Sequence, residues 1–231
     1  QTESLVNSFN RSGLELFETL ASKPGNLVIS PYSIGTAMAM ALSGARGETE
    51  AEMARVLELS LPPAKVADAE QQLNASLTDR LAKEGVKLSL ANALHLTKYG
   101  GLVAGSYKQL LTDKFGAELF TGSDLAAINQ WVKQKTDGKI DEILAHLDPY
   151  SVCVLLNAVY FKARWDSPFS LQQTKPGTFH LSRDESVEVP MMQQAGRYRI
   201  LRAHTFDAIE LPYAGEEVAM IVLLPMRLAG P

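Results

Sequence analysis

Few residues in this sequence have the types and spacing that covalent chemistry requires. The four histidines are scattered without ligand spacing: His95, His146, His180 and His204. Ser30 directly precedes Pro31, which is typical of a helix N-cap rather than of a nucleophile. No Gly-x-Ser-x-Gly elbow, His-Glu-x-x-His motif or Gly-x-x-x-x-Gly-Lys phosphate loop is present. The sequence therefore predicts a protein that is not an enzyme and needs no cofactor or metal.

Asn157 offers noncovalent chemistry, because it is the polar exception in the apolar run from Val152 to Phe161. A buried amide without partners costs about 1–3 kcal/mol. It bonds either a passing backbone group or a side chain on a neighbouring element, and the sequence leaves both interpretations open. Ser33, which lies early on a helix of small residues, is a natural partner. Such a bond would hold a sheet closed and still be exchangeable when its strands part.

Composition limits the classes of partner. The net charge is −4 and the pI is about 5.6, which gives no basic surface for nucleic acid. No apolar run reaches the roughly 18–20 residues that span a bilayer, so no membrane partner is expected. A single cysteine, Cys153, excludes an internal disulfide. An inert, buried thiol is the usual state of such a residue.

Hydrophobic periodicity indicates that helices come first and strands become frequent later, which favours an α+β fold. Val28 and Ile29 should enter the core as a short strand. The helix after Ser30 should bury Ile34 and its helical neighbours, and Thr49 with Glu52 should cap the next helix. The pattern further predicts helices over 4–22, 66–81, 107–115 and 125–137, and strands over 86–96 with one face inward, 118–120 and 152–161. Short strands should fill 178–224, with a hairpin at 214–216.

Several motifs carry a family resemblance. The string Asn26-Leu-Val-Ile-Ser30-Pro31-Tyr-Ser33 and its continuation to Met53 resembles the N-terminal signature of the serpins, the serine protease inhibitor family. Asn157-Ala-Val-Tyr-Phe-Lys-Ala-Arg-Trp165 resembles the serpin central-strand motif. Three further stretches match in the family's order: 128–140, Val189-Pro190-Met191-Met192, and Leu211-Pro212-Tyr213 through Leu224-Pro225.

The resemblance implies a fold in which several helices pack on a large mixed main sheet, with further antiparallel sheets. It implies one serpin domain over 1–231, incomplete at the C-terminus, because the matches correspond to the first three-fifths of a serpin. The hinge, the reactive-centre loop and the reactive-centre bond are expected to be absent from this chain. The connection from Phe120 to Asp124 is shorter than is usual in the family.

The resemblance implies an inhibitor of serine, or alternatively cysteine, proteases. A cleaved reactive-centre loop would insert into the main sheet, with Ser30, Ser33 and Asn157 forming the shutter and Trp165 lying at the breach. The alternative is a non-inhibitory serpin that acts as carrier, chaperone or storage protein. An extracellular or periplasmic location is expected. The basic residues of the helix near 64–84 (Lys65, Arg80, Lys83) are balanced by acidic ones, so no heparin binding is expected.

Overall fold

Helices precede most of the strands along the chain, as the sequence predicts. The computed structural model describes residues 1–82, 85–122, 124–181 and 184–226. Its α-helices are Thr2–Ala21 (α1), Pro31–Gly44 (α2), Glu48–Val56 (α3), Pro63–Leu81 (α4), Gly105–Phe115 (α5) and Leu125–Lys135 (α6). Its strands are Val86–Leu96 (β1), Glu118–Thr121 (β2), Cys153–Ala163 (β3), Lys175–His180 (β4), Ser186–Met191 (β5), Arg199–Arg202 (β6), Phe206–Pro212 (β7) and Ala219–Pro225 (β8).

The chain divides into two compact units, which are residues 1–79 with 88–160 and residues 80–87 with 161–231. We call them the first and the second unit. The first contains five of the described helices in full and most of the sheet with strand order β2-β1-β3. The second contains the β4-β5 pair and the antiparallel sheet β6-β7-β8. A single domain over 1–231 stays a prediction.

The start of α2 follows from its sequence. The Ser30 hydroxyl accepts a hydrogen bond from the Ser33 N–H at 3.2 Å, and Pro31 occupies the first turn. The predicted buried face is correct at Leu42 but wrong at Ile34, which is 37% exposed. Gly35 lies on the buried face instead, where a Cβ would come within 2.5 Å of the Phe9 ring. The missing side chain therefore lets α1 pack closely on α2.

Strand β1 is covered on both faces. Its register with β2 is parallel, from Ala93 opposite Glu118 to Leu96 opposite Thr121, and α5 forms the crossover. Residues 91–96 are all buried, so the prediction of a single inward face is wrong for this half of the strand. One face contributes Leu94 and Leu96 to a core with α1, α2, α4 and α5. The other contributes Ala91 and Ala93 to a smaller core with α6.

Strand β3 differs from its prediction in position. The apolar run predicts the middle of a covered sheet, but in the described residues β3 is the edge strand of β2-β1-β3. Leu156, Ala158 and Tyr160 are buried on the side of α6, whereas the alternate residues are half-buried. The alternation arises because α6 covers one face fully and the opposite face is covered only in part.

Two local predictions at the N-terminal end are wrong. Residues 26–29 form no strand and Val28 is 93% exposed, because none of the described strands pairs with this segment. Helix α3 begins at Glu48, and Gly47 with φ 64° occupies the N-cap position without a side-chain bond. Thr49 therefore lies inside the helix rather than capping it.

Candidate functional site

A chain of side-chain hydrogen bonds connects α2 to the sheet. The Ser33 hydroxyl donates to Asn157 Oδ1. The Asn157 amide donates from Nδ2 to Asn92 Oδ1 at 2.7 Å, and Asn92 Nδ2 donates to the Phe115 carbonyl at 2.8 Å. These bonds join α2, β3, β1 and the last residue of α5 in succession. The predicted contact between Ser33 and Asn157 is therefore confirmed.

Asn92 is the member of this chain that the sequence analysis missed. It lies in β1 and is buried, and both its amide oxygen and its amide nitrogen are bonded. The sequence did contain a sign of this role, because Asn92 is a polar residue on the same face of the predicted strand as Leu94 and Leu96. A buried amide on an apolar face requires partners, and this holds for Asn92 as it does for Asn157.

One detail of the predicted shutter needs correction. Asn157 is half-buried rather than buried, since β3 has an open edge in the described residues. The Ser30 hydroxyl caps α2 by accepting from the Ser33 N–H, as predicted, and its shutter role stays a prediction. The geometry thus brings together Ser33, Asn157 and Asn92, with Ser30 fixing the turn that presents Ser33.

Helix α6 is fastened to the segment that follows it. Asn129 accepts hydrogen bonds at Oδ1 from the N–H groups of Ile143 and Leu144, at 2.9 and 3.1 Å, and its Nδ2 donates to the Leu144 carbonyl at 2.9 Å. The Tyr160 hydroxyl donates to Asp137 Oδ2 at 3.1 Å. These bonds hold α6 over the β1 and β3 residues that form the smaller core.

Trp165 belongs to a separate aromatic cluster in the second unit. Its ring stacks on Tyr213 with centroids 4.4 Å apart and planes 10° apart. Phe169 meets Trp165 edge-on at 5.9 Å, and Phe161 meets Tyr213 edge-on at 5.1 Å. Trp165 and Tyr213 also share an antiparallel β-bridge. Trp165 therefore acts at least as a packing anchor, and its breach role stays a prediction.

Among the described residues, the remaining reactive groups lie apart from one another. Cys153 is half-buried rather than buried, and it lines a cavity of about 600 Å³ beside α2 and α5. Burial raises the pKa of its thiol, which disfavours the reactive thiolate. The described residues contain no group of three or more His, Cys, Asp or Glu arranged to hold a metal. They also contain no helix long and apolar enough to cross a membrane.

Comparison with known proteins identifies the family. The family model for serpins (serine protease inhibitors) matches residues 7–230. The chain therefore belongs to the serpin family, and the sequence-based recognition is confirmed.

Individual relatives agree with this assignment. The leukocyte elastase inhibitor of Sus scrofa is 36% identical over 96% of this chain and 61% of its own length. An uncharacterized serpin-like protein of Thermococcus kodakarensis is 36% identical over 97% of this chain and 54% of its own length. The structure of ovalbumin from emu superposes with a TM-score of 0.89 at 27% identity, over 96% of this chain and 63% of that one. The α+β serpin fold is therefore confirmed.

The chain spans 54–61% of the length of these two curated relatives. The chain belongs to a family of serine protease inhibitors. The activity and the target of the whole protein are proposals. The extracellular or periplasmic location and the shutter and breach roles stay predictions. Two sequence-based observations fall partly outside the described residues, since Lys83 of the balanced helix and Ser123 of the shortened connection are not among them.

Proposed function

We propose that the protein containing this chain inhibits a serine protease by offering a loop that is cleaved and then inserts as a strand into the sheet β2-β1-β3. Strand insertion into a sheet is a known form of β-augmentation, and serpin loop insertion is one of its standard examples. The protease would supply the covalent chemistry, and this chain would supply a sheet able to accept the strand.

The main observation behind this proposal is the series of hydrogen bonds from Ser33 through Asn157 and Asn92 to the Phe115 carbonyl. An apolar contact between α2 and β3 would give nonspecific adhesion, whereas amide and hydroxyl groups form a small number of directional bonds. Each such bond contributes a net of about 0.5–1.5 kcal/mol but leaves costly unpaired groups when broken singly. The closed arrangement is therefore favoured until a new strand supplies replacement partners.

The edge position of β3 also supports the proposal. In the described residues β3 has one strand neighbour, so its other edge offers backbone N–H and C=O groups. Asn157 lies on this strand, and its bonds to Ser33 and Asn92 are the ones that would exchange when the sheet opens. Trp165 follows β3 in the chain, and its breach role is part of this proposal.

The test is to incubate the full-length protein with a panel of serine proteases of different specificity. A complex that survives denaturing electrophoresis, together with a raised melting temperature of the cleaved inhibitor, is the expected result. Protease whose catalytic serine is chemically blocked should give no complex. Cleavage without any stable complex would refute inhibition and favour the carrier, chaperone or storage alternative. An Asn26→Ala variant, changed at an exposed position, should behave like the parent protein.

A further inference from the structure

His95 is a buried imidazole that has no hydrogen-bond partner of ordinary geometry among the described residues, although the Gly122 backbone lies near it. It lies on β1, is fully buried, and neither of its ring nitrogens has a hydrogen-bond partner among the described residues. It occupies the face of β1 that carries Ala91 and Ala93, which is the face that packs against α6. A neutral imidazole tolerates this environment, whereas a charged one would be buried without compensation.

An aromatic stack connects this imidazole to α6. The centroids of the His95 ring and the Phe120 ring of β2 lie 4.8 Å apart, and the two ring planes are tilted by 56°. Phe120 in turn stacks on Trp131 of α6 at 6.3 Å. A charge placed on His95 would therefore lie in the apolar layer beside Phe120 and Trp131, and displacement of α6 would open this layer to water.

The ionisable groups near this stack are already engaged. On β2, Glu118 pairs with Lys135 of α6 at 2.5 Å and accepts from Trp131 Nε1 at 3.1 Å. Burial alone would raise the pKa of Glu118, but its bonds to Lys135 and Trp131 lower it, so it remains ionised and paired. On β3, the Tyr160 hydroxyl is bonded to Asp137.

The other charged groups on α6 and at its ends are engaged as well. Lys133 pairs with Asp141 at 2.8 Å. Asp124 caps the helix by accepting from the Ala126 N–H at 2.8 Å. Among the described residues, none of these groups is a hydrogen-bond or ion-pair partner of His95.

We propose that His95 is a proton-sensing residue: its protonation in mildly acidic solution releases α6 from the sheet and so lowers the barrier to strand insertion. The consequence for insertion rests on the proposed function, whereas the release of α6 does not. Among ring side chains, only an imidazole gives this contact a pH dependence near neutrality.

The sign follows from linkage. Burial lowers the pKa of His95 below its usual value of 6.5, although the nearby Gly122 backbone offsets part of this shift. His95 therefore binds a proton more weakly when α6 is packed on the sheet than when α6 is released. The packing of α6 weakens as the pH falls below 6.5. One proton changes the undocking equilibrium by at most about tenfold per pH unit.

Hydrogen exchange of the full-length protein tests this directly. Exchange of the α6 amides, residues 125–135, is compared at pH 7.5 and 5.5 after correction for the pH dependence of the intrinsic rate. The expected result is about a threefold to tenfold rise in α6 opening at pH 5.5 in the parent protein. His95→Phe, which keeps an aromatic ring of similar size, should abolish the rise, and His180→Gln, at an exposed histidine, should retain it.

Three results would overturn the proposal. The first is an equal pH dependence in the parent protein and His95→Phe. The second is an equal rise in exchange of α5, residues 105–115, which would indicate global rather than local opening. The third is an NMR titration in which the His95 imidazole of the parent protein protonates at or above pH 6.5, and this measurement also serves if His95→Phe fails to fold. Because the readout is exchange, a failure to trap proteases would refute the proposed function separately.

Discussion

The two units of this chain use apolar residues in opposite ways. In the first unit, helices cover both faces of β1, and residues such as Leu94 and Val132 are fully buried. In the second, every residue of β8 from Ala219 to Pro225 is exposed, and Ala208 is the only buried apolar residue among those described. An apolar strand becomes part of a core only when a second layer packs on it. Strand β8 has the apolar composition of a core strand, but no such layer covers it in the described residues.

The largest test of this contrast is to express residues 1–231 alone. The exposed apolar faces and strand edges of the second unit should make this polypeptide aggregate at micromolar concentration. It should form no stable complex with any serine protease. Size-exclusion chromatography with light scattering and a protease assay check both claims. A monodisperse monomer with a cooperative melting transition would contradict the first claim, and a covalent complex would contradict the second.

A matched pair of leucines measures the same contrast in the full-length protein. Leu94→Ala removes a fully buried side chain and should lower the free energy of unfolding by about 2–5 kcal/mol. Leu223 is 60% exposed in the described residues. If β8 is covered in the whole protein, as its composition predicts, Leu223→Ala should also cost more than about 2 kcal/mol in urea unfolding. A cost within about 0.5 kcal/mol would mean that this strand faces water.

The polar chain of the first unit supplies an intermediate effect. Asn157→Ala leaves Ser33 and Asn92 without a partner and should cost about 1–3 kcal/mol, with faster polymerisation of the full-length protein. Asn92→Ala should give a similar loss, and the double variant should cost less than the sum. Asn26→Ala serves as the exposed control. Unchanged stability and polymerisation in Asn157→Ala would remove the shutter role.

The buried carboxyl group of Glu70 tests the helical layer of the first unit through pH. Glu70 is fully buried in α4 and accepts from the Thr36 hydroxyl at 2.6 Å, and its Oε2 has no hydrogen-bond partner among the described residues. Burial raises its pKa above 4.5, although the Thr36 and Tyr32 hydroxyls oppose the shift. Its stabilising contribution is therefore complete below pH 4.5 and is lost as the pH rises through the folded-state pKa.

The measurement is the free energy of unfolding from pH 4.5 to 8 for the parent protein and Glu70→Gln. Relative to the variant, the parent should lose stability with rising pH, by at most about 1.4 kcal/mol per pH unit. Glu48→Gln, at an exposed position, should follow the parent curve. Parallel curves for the parent and Glu70→Gln would show that this carboxyl group does not titrate between the two states.

The smallest expected effect concerns the solvent-facing surface of α4. Lys65 and Arg80 are exposed, and Lys114 of α5 is already paired with Asp68 of α4 at 2.8 Å. Mixed charges attract a polyanion weakly at physiological salt. Heparin should therefore leave the rate of protease inhibition unchanged. An acceleration that salt weakens, and that is lost when Lys65, Arg80 and Lys83 are changed to alanine, would overturn this expectation.

Sequence predicted the features that neighbouring residues determine. The Ser30 cap, the bounds of β1, and α5 with the turn at Gly116 all depend on a few adjacent side chains. The predicted strand at Val28 was wrong because a strand forms only beside a partner strand, and the local sequence does not identify that partner. The buried face of α2 was misassigned at Ile34 because the close approach of Phe9, which lies on another helix, places Gly35 on that face. Asn92 was missed for the same reason, since its two partners lie 23 and 65 residues away in sequence.

The hydrogen bond from Ser33 to Asn157 spans 124 residues of sequence, and this separation has a consequence for synthesis. Ribosomes add about 5–20 residues each second, so Ser33 leaves the ribosome roughly 6 to 25 seconds before its partner. During that interval β1 and β2 can pair through the intervening α5, since Ala93 and Glu118 are near in sequence. The nascent protein must therefore keep the first turn of α2 accessible while the rest of its helical layer assembles.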